Sequence, residues 1–450
     1  MPSILVKHAT IIALEANGRI PEIIEDGALL TDSDKIVALG KTDEVSKQYK
    51  ATDIVIDGSH RIVIPGIVDA HTHIAASFLR GLLEDVEDHF YGFALPLEDF
   101  LTESMTRKFS LLGAIEAAKF GITCINDIYH YASATASAVD KVGLRAVVAN
   151  KVFDAELSKI GKGLYIRDPR KGKERLESNV RLVKEWKGKR DSTVTCRIGT
   201  HATDTCSREL LRAAKQEASR LGVGMHIHVA QSEREVSYIK SEYGKSPVEY
   251  LDSLGFLDQN VIAAHLIFAS EQDFRIMRER GASVAHCPSV YGKVCVFPRV
   301  DEMYSSGVSL GLGTDWLSMD IWDNLRQAIG IARILSGRLI VTARRALRLA
   351  TIESARALQL DGIIGSLSVG KRADFAIVNV KKAHLMPWRN PIQNLVYYAN
   401  GGDIETVVVN GRIIVKGGLM QTVNEDQAIR DAQESAEQLW SNLPYPAPLK

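Results

Sequence analysis

The sequence predicts an α/β fold, a (β/α)8 barrel of the TIM type with a small β-sandwich domain formed from both ends of the chain. Three observations support this prediction. Short apolar strands alternate with helical patterns through the middle of the chain, β-type segments recur at both ends, and histidines follow the ends of the predicted barrel strands. A chain of 450 residues with 46% hydrophobic content can bury a core of that size.

The two ends of the chain share a β-type texture. Residues 1–65 contain runs such as "SILVKHATII" and "TDIVIDGSHRIVIPG", which are bounded by Gly and Asp turn signals. Residues 366–420 contain "ADFAIVNV" and two β-branched runs joined by Asn410-Gly411, a strong hairpin signal. We expect these two parts to form one sandwich. Residues 421–450 indicate a polar-faced helix with a Pro-rich end, appended to the barrel.

Residues 66–365 carry the alternation expected of the barrel. The eight candidate strands lie around 67–72, 122–128, 144–149, 193–200, 224–230, 261–265, 282–286 and 308–314. Helical segments such as "SRELLRAAKQEASRLG" have apolar residues at a spacing of three to four and stop at Gly, as crossover helices do. Eight such units in one stretch predict a closed barrel.

Composition limits the possible partners. Lys+Arg 55 balance Asp+Glu 55, and no basic stretch is interleaved with aromatic residues, so we expect neither a nucleic-acid nor a membrane partner. No apolar stretch reaches the roughly 18 residues that span a bilayer, and the N-terminus lacks a basic leader. The five cysteines form no CxxC pair, which favours a reducing cytoplasm over a disulfide framework. A small-molecule substrate is the expected partner.

Polar residues that could carry chemistry follow the predicted strands. These strand-end residues are His71, His73, His201, His228, His265, His286 and Asp315. One such histidine is usually a hydrogen-bonded structural residue, but so many on different strands indicate a site at the carboxyl face of the barrel. His71 and His73 point to the same side because alternate side chains of a strand do so. Imidazoles and a carboxylate suit zinc or a similar divalent ion, and His228 and Asp315 can complete its ligands.

Ordered motifs give the chain a family resemblance. "PGIVDAHTH", "MHIHVAQ", "AAH", "HCP" and "LGLGTD" occur in this order, followed by "GSLSVGKRADFAIVNV" and "VVVNGRIIVKGG". With these the sequence resembles the amidohydrolase superfamily, in particular its cytosine-deaminase-like branch with the chlorohydrolases, triazine hydrolases and adenosine-type or guanine deaminases. The likeness covers nearly the whole chain and implies a metal-dependent hydrolase that works as a homodimer or larger homo-oligomer.

The resemblance also implies roles for individual residues. It gives one divalent ion per chain, with zinc expected and iron or manganese as alternatives. The metal ligands would be His71, His73, His228 and Asp315. His265 would lie beside the water that the ion acidifies, Asp315 would take its proton, His201 would line the pocket and His286 would lie near the substrate. The family pattern assigns no ligand to His226, so we expect a structural role or a position behind a ligand.

The chain departs from the family pattern at Gln231. Deaminases of this branch typically have a glutamate there, which protonates the ring nitrogen, and a neutral amide cannot deliver a proton. Either Glu233 or Glu98 supplies that proton, or Asp315 and His265 manage it alone, or the substrate needs no ring protonation. Glu233 also fits a first-turn residue of a helix, where the helix dipole favours an acid.

Two further residues shape the expected pocket. Trp316 follows the metal aspartate and could form an aromatic wall, and Tyr291 in "HCPSVYGKVCVFP" indicates an altered pocket. The favoured function is deamination of an aminoheterocycle of the purine, pyrimidine or triazine type. Hydrolysis of an acyclic urea, amide or carbamate stays open because of Gln231. A metal-containing binding protein with impaired turnover is a third alternative.

Overall fold

The computed structural model describes residues 1–15, 22–48, 52–189, 193–293 and 295–441. Its strands are β1 (Ile4–Ile12), β2 (Ile23–Asp32), β3 (Lys35–Lys41), β4 (Ile54–Asp57), β5 (Arg61–Pro65), β6 (Ile67–Thr72), β7 (Ile122–Tyr129), β8 (Arg145–Asn150), β9 (Val194–Cys196), β10 (Ile198–Ala202), β11 (Met225–Val229), β12 (Val261–His265), β13 (Ser283–His286), β14 (Ser309–Leu312), β15 (Phe375–Asn379), β16 (Ile404–Val409), β17 (Arg412–Lys416) and β18 (Leu419–Met420). Its α-helices are α1 (Thr42–Gln48), α2 (Leu95–Glu98), α3 (Glu103–Lys119), α4 (Ala132–Val142), α5 (Leu157–Ile160), α6 (Pro169–Trp186), α7 (Arg208–Leu221), α8 (Glu233–Tyr243), α9 (Pro247–Ser253), α10 (Glu271–Arg280), α11 (Pro288–Lys293), α12 (Val300–Ser305), α13 (Ile321–Ser336), α14 (Ala343–Arg348), α15 (Ser354–Ala357), α16 (Pro391–Tyr398) and α17 (Glu425–Ser441).

The first sheet joins the two ends of the chain. Its strand order is β18-β17-β16-β15-β5-β1-β2-β3, and β4 pairs with β1. The link between the ends is the antiparallel pairing of β5 with β15, in which Val63 lies opposite Ile377. The hairpin between β16 and β17 turns at Asn410 (φ 52°) and Gly411 (φ 77°), and a Cβ at Gly411 would collide with the Ser33 carbonyl. The predicted β domain built from both ends is confirmed.

Two parallel sheets form the barrel. One contains β6-β7-β8-β9 and the other β10-β11-β12-β13-β14. Isolated bridges join Thr72 to Asp315 and Val152 to Thr200, so the two sheets meet at both edges. The predicted strands agree with the observed ones to within two residues at each end, except that the fourth is divided at Arg197 into β9 and β10. The predicted (β/α)8 class is confirmed.

Local sequence signals explain the crossover helices. In α7, the Ser207 side chain accepts a hydrogen bond from the Leu210 amide, and Gly222 ends the helix in the left-handed region (φ 66°). The residues that α7 buries are Leu210, Leu211, Ala214, Ala218 and Leu221. Their spacing of one, three and four puts a single apolar face against the sheet.

The carboxyl-terminal helix packs against the barrel. Ala432, Ala436 and Leu439 of α17 belong to the same buried cluster as Phe109 of α3. The predicted Pro-rich end falls largely on residues 442–450, which lie outside the described residues. The predicted boundaries near 65–66, 365–366 and 420–421 stay predictions. Among the described residues, no helix combines the length and the apolar content needed to cross a membrane.

Candidate metal centre and active site

His71 and His73 lie at the carboxyl end of β6, where the sequence pattern predicts them. His71 is the penultimate residue of the strand and is fully buried, and His73 follows its last residue and is 8% exposed. Their ring centroids are 4.8 Å apart. The alternation of a strand therefore brings both imidazoles to one side, as expected.

Asp315 closes the barrel beside these two imidazoles. It follows β14 with a left-handed backbone (φ 64°), and its amide donates to the carbonyl of His71 at 3.0 Å. The His73 amide in turn donates to the Asp315 carbonyl at 2.9 Å. Asp315 Oδ1 lies 3.2 Å from His71 Nε2 and 3.4 Å from His73 Nε2. The ends of β6 and β14, which are far apart in sequence, thus bring the Asp315 carboxylate into contact with the imidazoles of His71 and His73.

The hydrogen bonds of His73 and His228 test whether a cation fits. His73 Nδ1 donates to the Ile128 carbonyl and His228 Nδ1 donates to the His201 carbonyl, each at 2.6 Å. Each Nε2 is therefore a bare lone pair, since burial lowers the pKa of both rings, that of His73 to about 3. These two Nε2 atoms face each other at 3.2 Å. Two acceptors cannot bond to each other, so the donor set fits a metal cation.

His265 and His226 complete the cluster on two sides. Candidate ligand atoms of His71, His228 and His265 lie within 4.8 Å of one another, as do those of His71, His73 and Asp315. His265 ends β12 with φ 80°, and its Nδ1 is buried without a hydrogen-bond partner in the described part of the chain. His226 Nε2 lies 2.8 Å from His71 Nδ1, behind that ring. His226 can thus orient His71, while His265 faces the same space as the ligands.

A cavity of about 360 Å³ opens over this cluster, a volume in the range of small-molecule sites. His73, His228, His265 and Asp315 form its floor. Its walls include aromatic side chains and several polar ones, namely Phe90, Tyr91, Tyr129, Trp316, Glu98, Lys151, His201, Gln231, Ser232 and Glu233. The cavity therefore joins a metal-type floor to a partly apolar chamber.

Besides His265 and Asp315, five of the residues predicted near the substrate or its proton line this cavity, namely Glu98, His201, Gln231, Glu233 and Trp316. Two others, His286 and Tyr291, do not line it. His286 Nδ1 and the Tyr291 hydroxyl form a hydrogen bond of 2.6 Å, and both residues are buried. His286 lies at the end of its strand, as predicted, but its Nδ1 atom is hydrogen-bonded to Tyr291.

Glu98 and Lys151 form a buried ion pair on the cavity wall. Lys151 Nζ lies 2.5 Å from Glu98 Oε2, and His130 Nε2 lies 2.9 Å from the same oxygen. Burial by itself raises the pKa of Glu98, but the charges of Lys151 and His130 outweigh it and hold that pKa well below its usual range. The Glu98 carboxylate is therefore ionised. Lys151 escaped the sequence reasoning, although it directly follows β8 and the strand-end rule applies to it.

Gln231 also lines the cavity, and its amide Nε2 is buried without a hydrogen-bond partner among the described residues. Its backbone amide donates to Glu235 Oε2 at 2.8 Å. Glu235 is fully buried behind Gln231, whereas Glu233 is an exposed residue of the first turn of α8. The acid that accepts a hydrogen bond from Gln231 is thus Glu235, which sequence reasoning missed.

The chain is similar to known proteins over most of its length. The model of the family described as "Amidohydrolase family" matches residues 62–414. The chain is 32% identical to a 5'-deoxyadenosine deaminase of Methanosarcina barkeri, over 98% of this chain and 99% of the relative. It is 33% identical to a 5-methylthioadenosine/S-adenosylhomocysteine deaminase of Moorella thermoacetica, over 95% of this chain and 97% of the relative.

Solved structures show the same fold. A zinc-bound adenosine deaminase from Xanthomonas campestris superposes with a TM-score of 0.88 at 23% identity, covering 97% of this chain and 98% of its own. A zinc complex of atrazine chlorohydrolase from Arthrobacter aurescens gives a TM-score of 0.85 at 21% identity, covering 96% of this chain and 100% of its own. Both are similar to this chain from end to end.

Proposed function

Because the chain belongs to the amidohydrolase family and its relatives are deaminases, it is a hydrolase of non-peptide carbon–nitrogen bonds, and we propose that it deaminates a purine nucleoside. The observation that carries the proposal is the meeting of His71, His73, His228 and Asp315 beneath a cavity of about 360 Å³. The relatives are named for adenosine derivatives, which supports a purine as the substrate base. The broader substrate class is an aminoheterocycle.

The cavity walls suit an aromatic base that carries a polar group. Phe90 and Trp316 contact each other edge to face at 5.8 Å and offer an apolar wall to a flat ring. The ionised Glu98 lies elsewhere on the wall and can accept hydrogen bonds from sugar hydroxyls. We therefore infer that the base lies against the aromatic wall and the sugar near Glu98.

His71, His73, His228 and Asp315 would hold one divalent ion, for which we propose zinc, with iron and manganese as alternatives. Such an ion lowers the pKa of a bound water towards about 7. Asp315 would take a proton at its carboxylate, and His265, whose Nδ1 lacks a partner in the described residues, would orient the attacking oxygen. Gln231 would donate a hydrogen bond to a ring nitrogen but cannot protonate it.

A second candidate function follows from Gln231. An acyclic urea, amide or carbamate needs no ring protonation, so its hydrolysis tolerates an amide at this position. A binding protein with impaired turnover is less favoured, because the four proposed metal ligands and His265 are all present. We further propose a cytoplasmic location and a homodimer or larger homo-oligomer, which light scattering of the purified protein would test.

The test combines metal analysis with a substrate panel. We expect about one divalent ion per chain by elemental analysis, lost in His228→Ala and retained in a His384→Ala control, which alters a histidine paired with Asp403 in a different part of the fold. Ammonia release should be highest with aminopurine nucleosides and low with aminopyrimidines, triazines and substituted ureas. Activity only on ureas or amides would favour the second candidate, and a fully active protein without metal would contradict both.

A further inference from the structure

A pair of carboxyl groups is buried directly behind the wall that carries Gln231. Asp204 and Glu235 are both 0% exposed. Glu235 Oε2 accepts a hydrogen bond from the Gln231 backbone amide at 2.8 Å, and its Oε1 bonds to the Thr203 hydroxyl. Asp204 Oδ2 bonds to the Tyr91 hydroxyl at 3.2 Å, whereas Asp204 Oδ1 has no partner among the described residues. The sequence pattern gives these acids no role.

No cation of the described residues forms an ion pair with either carboxyl group. The Arg167 guanidinium bonds to the Asp154 carboxylate and to the backbone carbonyl of Asp204. Arg234 lies over the Tyr91 ring at 4.6 Å and bonds to the carbonyl of residue 160. Two adjacent carboxylates cannot both stay charged in such a place, so the pair keeps a proton. Accordingly, burial and then the charge of Asp204 raise the pKa of Glu235 to about 8, and burial raises that of Asp204 to about 6.

Two hydroxyl groups lead from this pair to the cavity. The Tyr91 hydroxyl bonds to Asp204 and lies 2.7 Å from Ser232 Oγ. Tyr91 and Ser232 both line the cavity, and Ser232 is the neighbour of Gln231. Ser232 Oγ accepts a hydrogen bond from the Glu235 amide at 3.1 Å, and it can donate its own proton into the cavity when the Tyr91 hydroxyl donates to it. The pKa of the Tyr91 phenol is raised well above its usual value by burial, so Tyr91 passes a proton on only when it receives another.

We propose that Asp204 and Glu235 store a proton and that Tyr91 and Ser232 relay it to the substrate, in place of the acid that Gln231 cannot provide. The inference rests on the proposed deamination. The ring nitrogen takes the Ser232 hydroxyl proton, Ser232 takes the Tyr91 proton, and Tyr91 takes the carboxyl proton. The product keeps the proton on its ring nitrogen. Of the two protons of the attacking water, one leaves with ammonia and the other restores the carboxyl pair, so atoms and charges balance.

Two other acids that line the cavity, Glu98 and Glu233, are poorer sources. Glu98 is ionised because Lys151 and His130 bond to it, so it holds no proton to give. Glu233 is exposed at the start of α8, where a carboxylate is favoured by water and by the helix dipole. Of the acids compared, only the buried pair keeps a proton, and its Asp204 member is connected to the cavity through the hydrogen bond to Tyr91.

The experiment measures ammonia release by the metal-loaded protein with the best substrate of the panel. We expect Tyr91→Phe to lower kcat by at least about 100-fold while KM changes less than about threefold, since a well-placed acid contributes roughly 10²- to 10⁴-fold. Asp204→Asn keeps the shape of the side chain but removes its carboxyl group, and it should lower kcat to a similar extent. Adding Gln231→Glu to either variant should restore kcat at least about tenfold, because a carboxyl group at residue 231 reaches the cavity directly. The solvent deuterium isotope effect on kcat should fall in the rescued variants.

The matched control is Tyr165→Phe. It removes a phenol whose hydroxyl is buried without a partner among the described residues and which lies near Asp204 but outside the relay. Its kcat should stay within about twofold of the unaltered protein. Unchanged kcat in Tyr91→Phe, or loss of kcat that Gln231→Glu does not restore, overturns the relay while the deamination stands. Absence of ammonia release by the unaltered protein across the panel overturns the proposed function and the relay with it.

Discussion

Glu98 and Glu235 are two buried glutamates near the same cavity, one in its wall and the other behind Gln231. Glu98 bonds to Lys151 and His130, and its pKa is held well below the usual range although burial opposes this. Glu235 bonds only to uncharged groups in the described structure, and burial raises its pKa to about 8. Both glutamates are buried, yet one side chain is charged and the other neutral at pH 7.

The difference lies in what each carboxyl group has as its partner. Burial disfavours the charged form of both, and at Glu98 the charges and hydrogen bonds of Lys151 and His130 reverse that preference. For the chemistry of the site, this makes Glu98 an acceptor of hydrogen bonds and Glu235 a store of a proton. The two glutamates therefore differ in charge because they have different hydrogen-bonding and charged partners.

Removing the cation should break the contrast with the largest effect. Lys151→Met leaves the Glu98 carboxylate buried with His130 alone, and we expect the free energy of unfolding at pH 7 to fall by about 3–5 kcal/mol. Urea unfolding followed by circular dichroism measures it. Lys171→Met, at an exposed lysine of α6, is the matched control and should change stability by less than about 0.5 kcal/mol. A loss below about 1 kcal/mol in Lys151→Met would show that Glu98 is not held by this pair.

Neutralising both partners should return much of that loss. Adding Glu98→Gln to Lys151→Met removes the unpaired charge, so we expect the double variant to regain about 2–4 kcal/mol over Lys151→Met alone. The coupling energy from the double-mutant cycle checks this expectation. Additive losses in the two single variants would mean that the 2.5 Å contact contributes packing and little charge interaction.

Local rules explain why much of the barrel and its floor could be predicted. Strand alternation and the carboxyl-face rule depend on short stretches, so they gave the strand positions and put His71, His73 and Asp315 at strand ends. Arg197 divides the fourth strand, and its guanidinium bonds to the Leu358 carbonyl, a contact that no local pattern contains.

Long-range contacts and helix rotation explain what could not be predicted. The Glu98–Lys151 pair joins residues 53 apart in the chain. Glu235 turns inward and Glu233 outward because the Ser232 cap sets where α8 begins. His286 has the predicted strand-end position, but the helix after it brings Tyr291 onto its ring. The roles assigned to His286, Tyr291 and His201 in binding substrate stay predictions.

The smallest expected effect has the opposite sign and depends on pH. Glu235 has a higher pKa in the folded state, about 8, than its ordinary value of 4.5, so it binds its proton more tightly in the folded protein. It therefore lowers the free energy of unfolding progressively as the pH rises from 4.5 towards about 8. Glu235→Gln should match the unaltered protein near pH 4 and exceed it by about 1–3 kcal/mol at pH 8. Glu233→Gln, two residues away and exposed, should show no such divergence.

Glu98→Gln should diverge the other way. The lowered pKa of Glu98 contributes stability at pH values above the pKa of the unfolded chain, and that stability is lost as the pH falls. Parallel pH profiles of unfolding for Glu235→Gln and Glu98→Gln would contradict the assignment of opposite charges to the two glutamates.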